Sequence, residues 1–192
     1  MKRANSLARP IVLLLACLFA GMANAQGLDY DKLEAHPHGL GPVRLGMTVA
    51  EASEALGLDL AEDAIQYSDG ACSSYALGAS IYDWDLRFTA RDGRIVRVDV
   101  FTDRISTEAG VGIGSAASAI RAAYGDEFRV QPGRDKGESR MQMATDSGAV
   151  MEFVGRRPGP VQGDSPGEPA APEKVRRYSI GLRDSGATEG CL

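Results

Sequence analysis

The sequence predicts an α+β fold, in which two tandem repeats of one helix and three strands form a single antiparallel sheet backed by helices. Three observations support this prediction. A helix-starting phrase, "LGMTVAEASEALG" at 45–57, is followed by a similar phrase, "VGIGSAASAIRAAYG" at 111–125. Three strand-like segments of alternating hydrophobicity follow each phrase. Thr48 and Ser115 are 67 residues apart and Phe88 and Phe153 are 65 apart, whereas Val98 and Tyr178 in the last strands are 80 apart because of an insertion. Repetition at such a spacing is a signal about the whole fold.

Residues 1–25 have the pattern of a secretory signal peptide. Three basic residues precede an apolar run that ends in "ANA" at 23–25, and we expect cleavage before Gln26. The mature protein is then periplasmic or secreted, without a transmembrane segment. An alternative is lipidation, because "LLAC" at 14–17 resembles a lipobox in which Cys17 becomes the first mature residue. The well-formed Ala-x-Ala site favours ordinary cleavage without a lipid anchor.

The first predicted repeat, residues 40–108, follows an N-terminal extension at 26–39. Thr48 and Glu51 form a capping box, in which each side chain satisfies a free amide at the start of a helix. Gly57 ends that helix, since glycine enters the left-handed region at little cost. Strands are predicted at 73–82, 84–90 and 94–101, and "RDG" at 91–93 predicts a tight hairpin between the last two.

The second predicted repeat covers residues 109–192. Ser115 is the expected helix cap and Gly125 the expected stop, and strands are predicted at 139–145, 149–154 and 175–182. Between the last two strands, residues 155–174 are rich in Pro and Gly and contain few apolar side chains. We therefore expect this segment to be a mobile hairpin insertion.

Alternation along the strands predicts two different sheet faces. The apolar face should meet the two helices, and its members are Leu86, Phe88, Val96, Val98, Val100, Met141, Met143, Met151, Phe153, Tyr178, Ile180 and Leu182. The other face should be exposed, and its members are Arg87, Thr89, Arg97, Asp99, Arg140, Gln142, Glu152, Arg177 and Ser179.

The polar face is the candidate binding surface, because Arg, Tyr and Trp are enriched where proteins bind one another. The alternative is a solvated face with cross-strand charge pairs. The candidate binding residues are Arg87, Arg97, Asp99, Arg140, Arg177, Tyr82 and Trp84.

If Cys17 leaves with the signal peptide, the mature chain keeps Cys72 and Cys191. Two cysteines in an oxidising compartment most simply form one disulfide. The two residues flank the predicted sheet, so a bridge between them would link its ends. The alternative is a pair of free thiols.

The charge distribution argues against nucleic acid as a partner. Removing the three bases of the signal peptide changes the net charge from −5 to −8, and residues 26–85 hold eleven acids against two bases. A phosphate backbone would be repelled by this segment.

No motif in the sequence predicts catalysis. The two histidines, His36 and His38, are too few for a closed metal site. "GDSPG" at 163–167 matches a nucleophile motif but lies in the expected loop instead of a strand-to-helix turn. "GVGIGS" at 110–115 lacks the lysine of a phosphate-binding loop. We therefore expect neither an enzyme nor a metal or cofactor site.

The phrase at 45–57 resembles the helix signature of the small outer-membrane assembly lipoproteins of the SmpA/OmlA type, and its duplication resembles the tandem-repeat architecture of the β-lactamase inhibitor protein family. The match is carried by Gly46, Met47, Thr48, Glu51, Leu56 and Gly57, whereas the second phrase keeps only Gly112, Ser115 and Gly125. The resemblance implies a tandem-repeat fold over roughly residues 40–192.

Together, these features predict an exported binding module that acts on a protein of the cell envelope through its polar sheet face. An inhibitor, an immunity-type protein and an envelope assembly factor all fit this description. The alternatives are a lipid-anchored outer-membrane component and a hydrolase whose site the sequence does not display.

Overall fold

The computed structural model describes residues 28–63, 72–78, 85–125, 128–132, 138–156 and 174–183. Over these residues the chain forms two β-sheets, two short α-helices and a 3-10 turn at Tyr30–Lys32. The helices are α1 (Val49–Leu56) and α2 (Ala117–Tyr124). The strands are β1 (Glu34–His36), β2 (Gly39–Leu40), β3 (Val43–Arg44), β4 (Leu60–Glu62), β5 (Cys72–Leu77), β6 (Leu86–Arg91), β7 (Arg94–Val100), β8 (Ser106–Thr107), β9 (Arg129–Pro132), β10 (Glu138–Ala144), β11 (Ala149–Arg156) and β12 (Lys174–Leu182).

The larger sheet has eight strands in the order β4-β5-β6-β7-β12-β11-β10-β9. All of its pairings are antiparallel. Its centre is the pairing of β7 with β12, in which Val98 lies opposite Ile180. The smaller sheet has the order β3-β2-β1-β8 and contains one parallel pairing, between β1 and β8.

The predicted α+β class is wrong, because the described chain is mainly β and is not a single sheet backed by helices. Four strands of the larger sheet, not three, follow each helix, since β4 and β9 are additional. The helices are eight residues long and bury only Ala52 and Leu56 in α1 and Ile120 in α2. Two such helices are too small to cover eight strands, and the smaller sheet adds Ala35, Leu40 and Val43 to the same core.

The structure describes part of each predicted segment except the signal peptide. The predicted N-terminal extension at 26–39 contributes Tyr30, Leu33 and Ala35 to the core. β11 continues to Arg156 and β12 begins at Lys174. Most of the expected insertion at 155–174, and all of the expected signal peptide, lie outside the described residues.

The locally encoded features of the first helix and hairpin are confirmed. The Glu51 N–H donates to Thr48 Oγ1 at 3.2 Å, and the Thr48 N–H donates to Glu51 Oε2 at 2.7 Å. These bonds from Thr48 hold the pKa of Glu51 below its usual value. Gly57 ends α1 with φ 68°, and Asp92 and Gly93 make the hairpin turn with φ 50° and 73°.

The second helix differs from its prediction at its start. Ala116 is the N-cap, without a side-chain cap, and the Ser115 hydroxyl instead accepts the Gly112 N–H at 3.0 Å. Gly125 does follow the last helical residue, as predicted.

The apolar face of the larger sheet forms the centre of the core. Phe153 and Tyr178 stack with ring centroids 5.7 Å apart, and the Tyr178 hydroxyl donates to Ile105 O at 3.0 Å. Burial raises the pKa of Tyr178. Two residues depart from the predicted face. A β-bulge at Thr89/Ala90 places Ile95, not Val96, in the core cluster, and Leu182 lies outside that cluster.

Candidate ligand-binding groove

Polar side chains form a row across five strands on the sheet face opposite the core. Residues that pair directly across antiparallel strands project to the same side of a sheet. From β9 to β7 the paired residues of this row are Arg129, Gln142, Glu152, Ser179 and Asp99.

The neighbouring row on the same face consists mainly of small residues, and this creates a groove. Ala144 pairs with Val150, Val150 with Gly181, and Gly181 with Arg97. At Gly181 an added Cβ would lie 3.3 Å from the Val96 carbonyl oxygen, so a larger residue there would need its neighbours to shift by a few tenths of an ångström. The groove has a volume of about 460 Å³. Its lining residues are Arg97, Arg129, Gln131, Gln142, Met143, Ala144, Val150, Glu152, Ser179, Gly181, Leu182 and Arg183.

One wall of the groove is a buried ion pair between Arg97 and Asp99. Arg97 Nε lies 2.9 Å from both Asp99 carboxylate oxygens, and Nη2 lies 2.7 Å from Oδ1. The two residues are only 7% and 8% exposed. Burial opposes the charged form of Arg97, but the carboxylates of Asp99 and Glu152 outweigh it and raise the Arg97 pKa. The guanidinium therefore stays charged at any physiological pH.

Glu152, at the centre of the row, is held through one of its two oxygens. Its Oε2 accepts hydrogen bonds from Arg140 Nη2 at 2.8 Å, from Arg140 Nε at 3.2 Å and from the Gln142 amide. Its Oε1 lies 3.9 Å from Arg97 Nη2. Within the described residues Oε1 accepts no hydrogen bond, although a carboxylate oxygen has two acceptor positions.

Two exposed arginines stand at opposite sides of the groove. Arg129 lies on the edge strand β9, and Arg183 follows the end of β12. Neither of them makes an ion pair within the part of the chain that the structure describes. They therefore differ from Arg97 and Arg140, whose charges are already balanced by carboxylates.

The described residues of the sequence-predicted binding set lie on one face, but their charges are paired with acidic or basic side chains of the same chain. Arg87 lies 3.6 Å from Asp63, Arg140 2.8 Å from Glu152, and Arg177 3.4 Å from Glu138. Arg97 and Asp99 line or adjoin the groove but are buried, whereas the sequence predicts an exposed face. Tyr82 and Trp84 lie outside the described residues.

Sequence reasoning missed the two groove arginines. Arg129 belongs to a four-residue strand that ends in Pro132, which is too short for a strong alternation signal. Arg183 lies beyond the last alternating residue of β12. Gln142 and Glu152 are predicted on the polar face, but only the register shows that they share a row with Arg129.

The two histidines have structural partners. One His36 ring nitrogen, Nε2, lies 3.0 Å from the Gly41 carbonyl oxygen, and the other, Nδ1, accepts the His38 N–H at 3.2 Å. The Arg44 guanidinium lies within 3.1 Å of both ring nitrogens. His36 thereby supports the turn between β1 and β2. In the described ranges, no three His, Cys, Asp or Glu side chains are grouped so as to hold a metal ion.

Cys72 lies at the start of β5, with 3% of its surface exposed. Its predicted partner, Cys191, lies outside the described residues, so their pairing stays a prediction. Across the described ranges, neither α1, α2 nor the 3-10 turn has the length and apolar character needed to cross a bilayer.

Comparison with known proteins adds information about the fold alone. No protein-family model and no curated protein matches the chain. A similar solved structure is the crystal structure of the uncharacterized protein yfeY from Escherichia coli, with a TM-score of 0.50 and 18% sequence identity. The similarity covers 77% of this chain and 99% of that chain.

Proposed function

We propose that the protein is an exported, non-enzymatic binding module that holds a protein of the cell envelope in the groove on the polar face of its larger sheet. Export follows from the signal-peptide pattern at 1–25. The observation that carries the binding role is the groove itself, where a floor of small residues is flanked by charged and amide side chains. An inhibitor, an immunity-type protein or an envelope assembly factor would each work in this way.

The groove is suited to binding because it is built on paired strands. β10 and β11 pair over seven residues, from Glu138↔Arg156 to Ala144↔Val150. The ion pairs of Arg97 with Asp99 and of Arg140 with Glu152 fix four of the polar side chains before any ligand arrives. A preorganised site loses little conformational entropy on binding, and this favours affinity.

The chemistry of the groove supports binding more than catalysis. Its acidic side chain, Glu152, is neutralised by Arg140 and hydrogen-bonded by Gln142. These bonds occupy Glu152 Oε2, so this oxygen is already engaged within the protein. The lining contains neither Cys nor His among the described residues, so the usual partners of an activated nucleophile are missing from it.

The test fills the groove without disturbing the fold. Ala144 is exposed on the groove floor, so Ala144→Tyr should fold normally and occlude the site. We expect the wild-type protein to capture a specific envelope protein and the variant to lose it by at least about tenfold in affinity, as for loss of a central contact. Affinity chromatography from envelope extract, followed by mass spectrometry, measures this.

The matched control is Ala119→Tyr, which adds the same side chain to an exposed position of α2. It should capture the partner as well as the wild type does. Equal capture by Ala144→Tyr and the wild type would show that the partner binds elsewhere. Equal loss in both variants would point to a general effect of the added aromatic group and would also contradict the proposal.

A further inference from the structure

We infer that the groove recognises an acidic peptide segment of its partner, with the partner's carboxylates held between Arg129 and Arg183. This inference rests on the proposed function and names the chemistry of the ligand. The segment would lie across β9 to β12, which contribute Arg129 and the groove floor, and would reach Arg183 just after the end of β12.

The sign of the ligand follows from which charges remain unbalanced. In the groove, Arg97 is paired with Asp99, and Glu152 is paired with Arg140. Arg129 and Arg183 make no such pair in the described part of the chain. Two positive charges are therefore left to face the groove, although the whole chain has a formal net charge of −5. A local positive site attracts an anionic group, while the acidic remainder of the protein repels that group.

A peptide fits the remaining lining better than a compact anion such as phosphate. Glu152 Oε1 can still accept a hydrogen bond, so it could bind a backbone N–H of a peptide. The same negatively charged oxygen would repel a dianion such as phosphate. The Gln131 and Gln142 amides can pair with peptide carbonyl groups, and Met143, Val150 and Leu182 offer apolar contacts. Donors, acceptors and apolar groups occur together in a peptide and not in inorganic phosphate. Guanidinium groups bind carboxylates through two parallel hydrogen bonds.

The test uses a fluorescein-labelled hexaglutamate peptide and the exported full-length protein. Fluorescence anisotropy should show saturable binding of this peptide, and labelled hexaglutamine should not bind. The double variant Arg129→Gln, Arg183→Gln should weaken the binding of hexaglutamate by about tenfold or more, because two charge-assisted contacts are lost. Both side chains are exposed, so the variant should fold like the wild type.

A second double variant, Arg121→Gln with Arg176→Gln, controls for charge alone. It removes the same number of positive charges from exposed positions outside the groove lining. We expect it to bind hexaglutamate within about twofold of the wild type, because screened charges outside the site contribute little. Equal weakening by the two double variants would overturn the inference. Absence of binding to the wild type, or competition by inorganic phosphate as effective as that by unlabelled hexaglutamate, would also overturn it.

The experiment separates this inference from the proposed function. If Ala144→Tyr loses the envelope partner but Arg129→Gln, Arg183→Gln retains it with unchanged affinity, the groove binds a partner of different chemistry. The proposed function then stands and the acidic-peptide inference fails. If both variants retain the partner, the proposed function fails as well.

Discussion

Arg97 has two roles that depend on the same ion pair. It keeps the Asp99 carboxylate satisfied in a site where both residues are nearly buried, and it forms a wall of the groove. Glu152 adds a second carboxylate at 3.9 Å, so the guanidinium joins two strands that lie on either side of β12. Stability and the shape of the candidate site are therefore coupled at this residue.

Removing the Arg97 charge should destabilise the protein strongly. Arg97→Met keeps much of the side-chain volume but leaves Asp99 buried and unpaired, and breaking a buried ion pair costs about 3–5 kcal/mol. Urea unfolding of the variant measures the loss. Arg121→Met is the control, because Arg121 is exposed on α2, and it should change stability by less than about 0.5 kcal/mol. A loss below about 1 kcal/mol for Arg97→Met would mean that water reaches Asp99.

Which residues share a face could be predicted from the sequence, but which charges remain available could not. Alternation is a local pattern, and it correctly groups Arg97, Arg140 and Glu152 on the polar face. Internal pairing is not local, because the partner of Arg140 is twelve residues away on the next strand. The sequence therefore indicates the candidate surface, and only the structure shows that, of the arginines lining the groove, Arg129 and Arg183 make no ion pair within the described residues.

At the scale of elements, α1 is stabilised mainly at its two ends. It is eight residues long, and helices this short are not stable by themselves in water. Reciprocal hydrogen bonds between Thr48 and Glu51 cap the start of the helix, and Gly57 ends it in the left-handed conformation. Ala52 and Leu56 are the helix residues that are buried in the core. Each of these signals lies within ten residues of sequence, which explains why α1 could be predicted with its correct cap and stop.

Thr48→Ala should lower stability by about 1 kcal/mol, the usual cost of removing a threonine N-cap. Thermal or urea unfolding measures the difference from the wild type. The comparison variant is Ser115→Ala, because Ser115 precedes α2 without capping it. A larger loss for Ser115→Ala than for Thr48→Ala would contradict the assignment of the caps.

The difference between Thr48→Ala and the wild type should also depend on pH. The bonds from Thr48 hold the folded-state pKa of Glu51 below its usual value. Stabilisation from a lowered carboxyl pKa is complete above the unfolded pKa of about 4.3 and is lost as pH falls through the folded pKa. Thr48→Ala keeps the backbone N–H bond to Glu51, so only the part of its stability loss that comes from the Thr48 hydroxyl bond to the Glu51 carboxylate should shrink in acid, and a difference that widens there would contradict this account.

The elements that escaped prediction are those with too few residues to carry a pattern. β1, β2, β3 and β8 have two or three residues each, so neither alternation nor composition distinguishes them from turns. They nevertheless form the second sheet and supply part of the core. The fold class was wrongly predicted for this reason, since the residues that replace the expected helical cover are in short strands.

At the scale of the whole molecule, the Cys72–Cys191 pairing remains to be tested. Cleavage at the expected signal-peptide site leaves Cys72 and Cys191 as the two cysteines of the mature chain, and we predict that they form one disulfide. Non-reducing peptide mapping of the exported protein should find this single linked pair. The bridge would close about 120 residues and stabilise the fold by about 4–5 kcal/mol.

The paired variant Cys72→Ser, Cys191→Ser provides the energetic measurement. It should unfold at lower urea concentration than the wild type, and reducing agent should destabilise the wild type but leave the variant unchanged. A Cys17–Cys72 link would show instead that the N-terminal segment is retained. Two alkylatable thiols in freshly exported protein would exclude the bridge.

The position of β12 has a consequence for how the chain reaches this structure. β12 is the last described strand in sequence, yet it lies in the middle of the larger sheet, between β7 and β11. Until it docks, both of these strands present open edges, and open edges invite pairing with other chains. The pairing of Val98 with Ile180 also joins residues far apart in sequence, and contacts of this kind slow folding. In a folding chain the edges of β7 and β11 therefore stay exposed until residues 174–182 have docked between them.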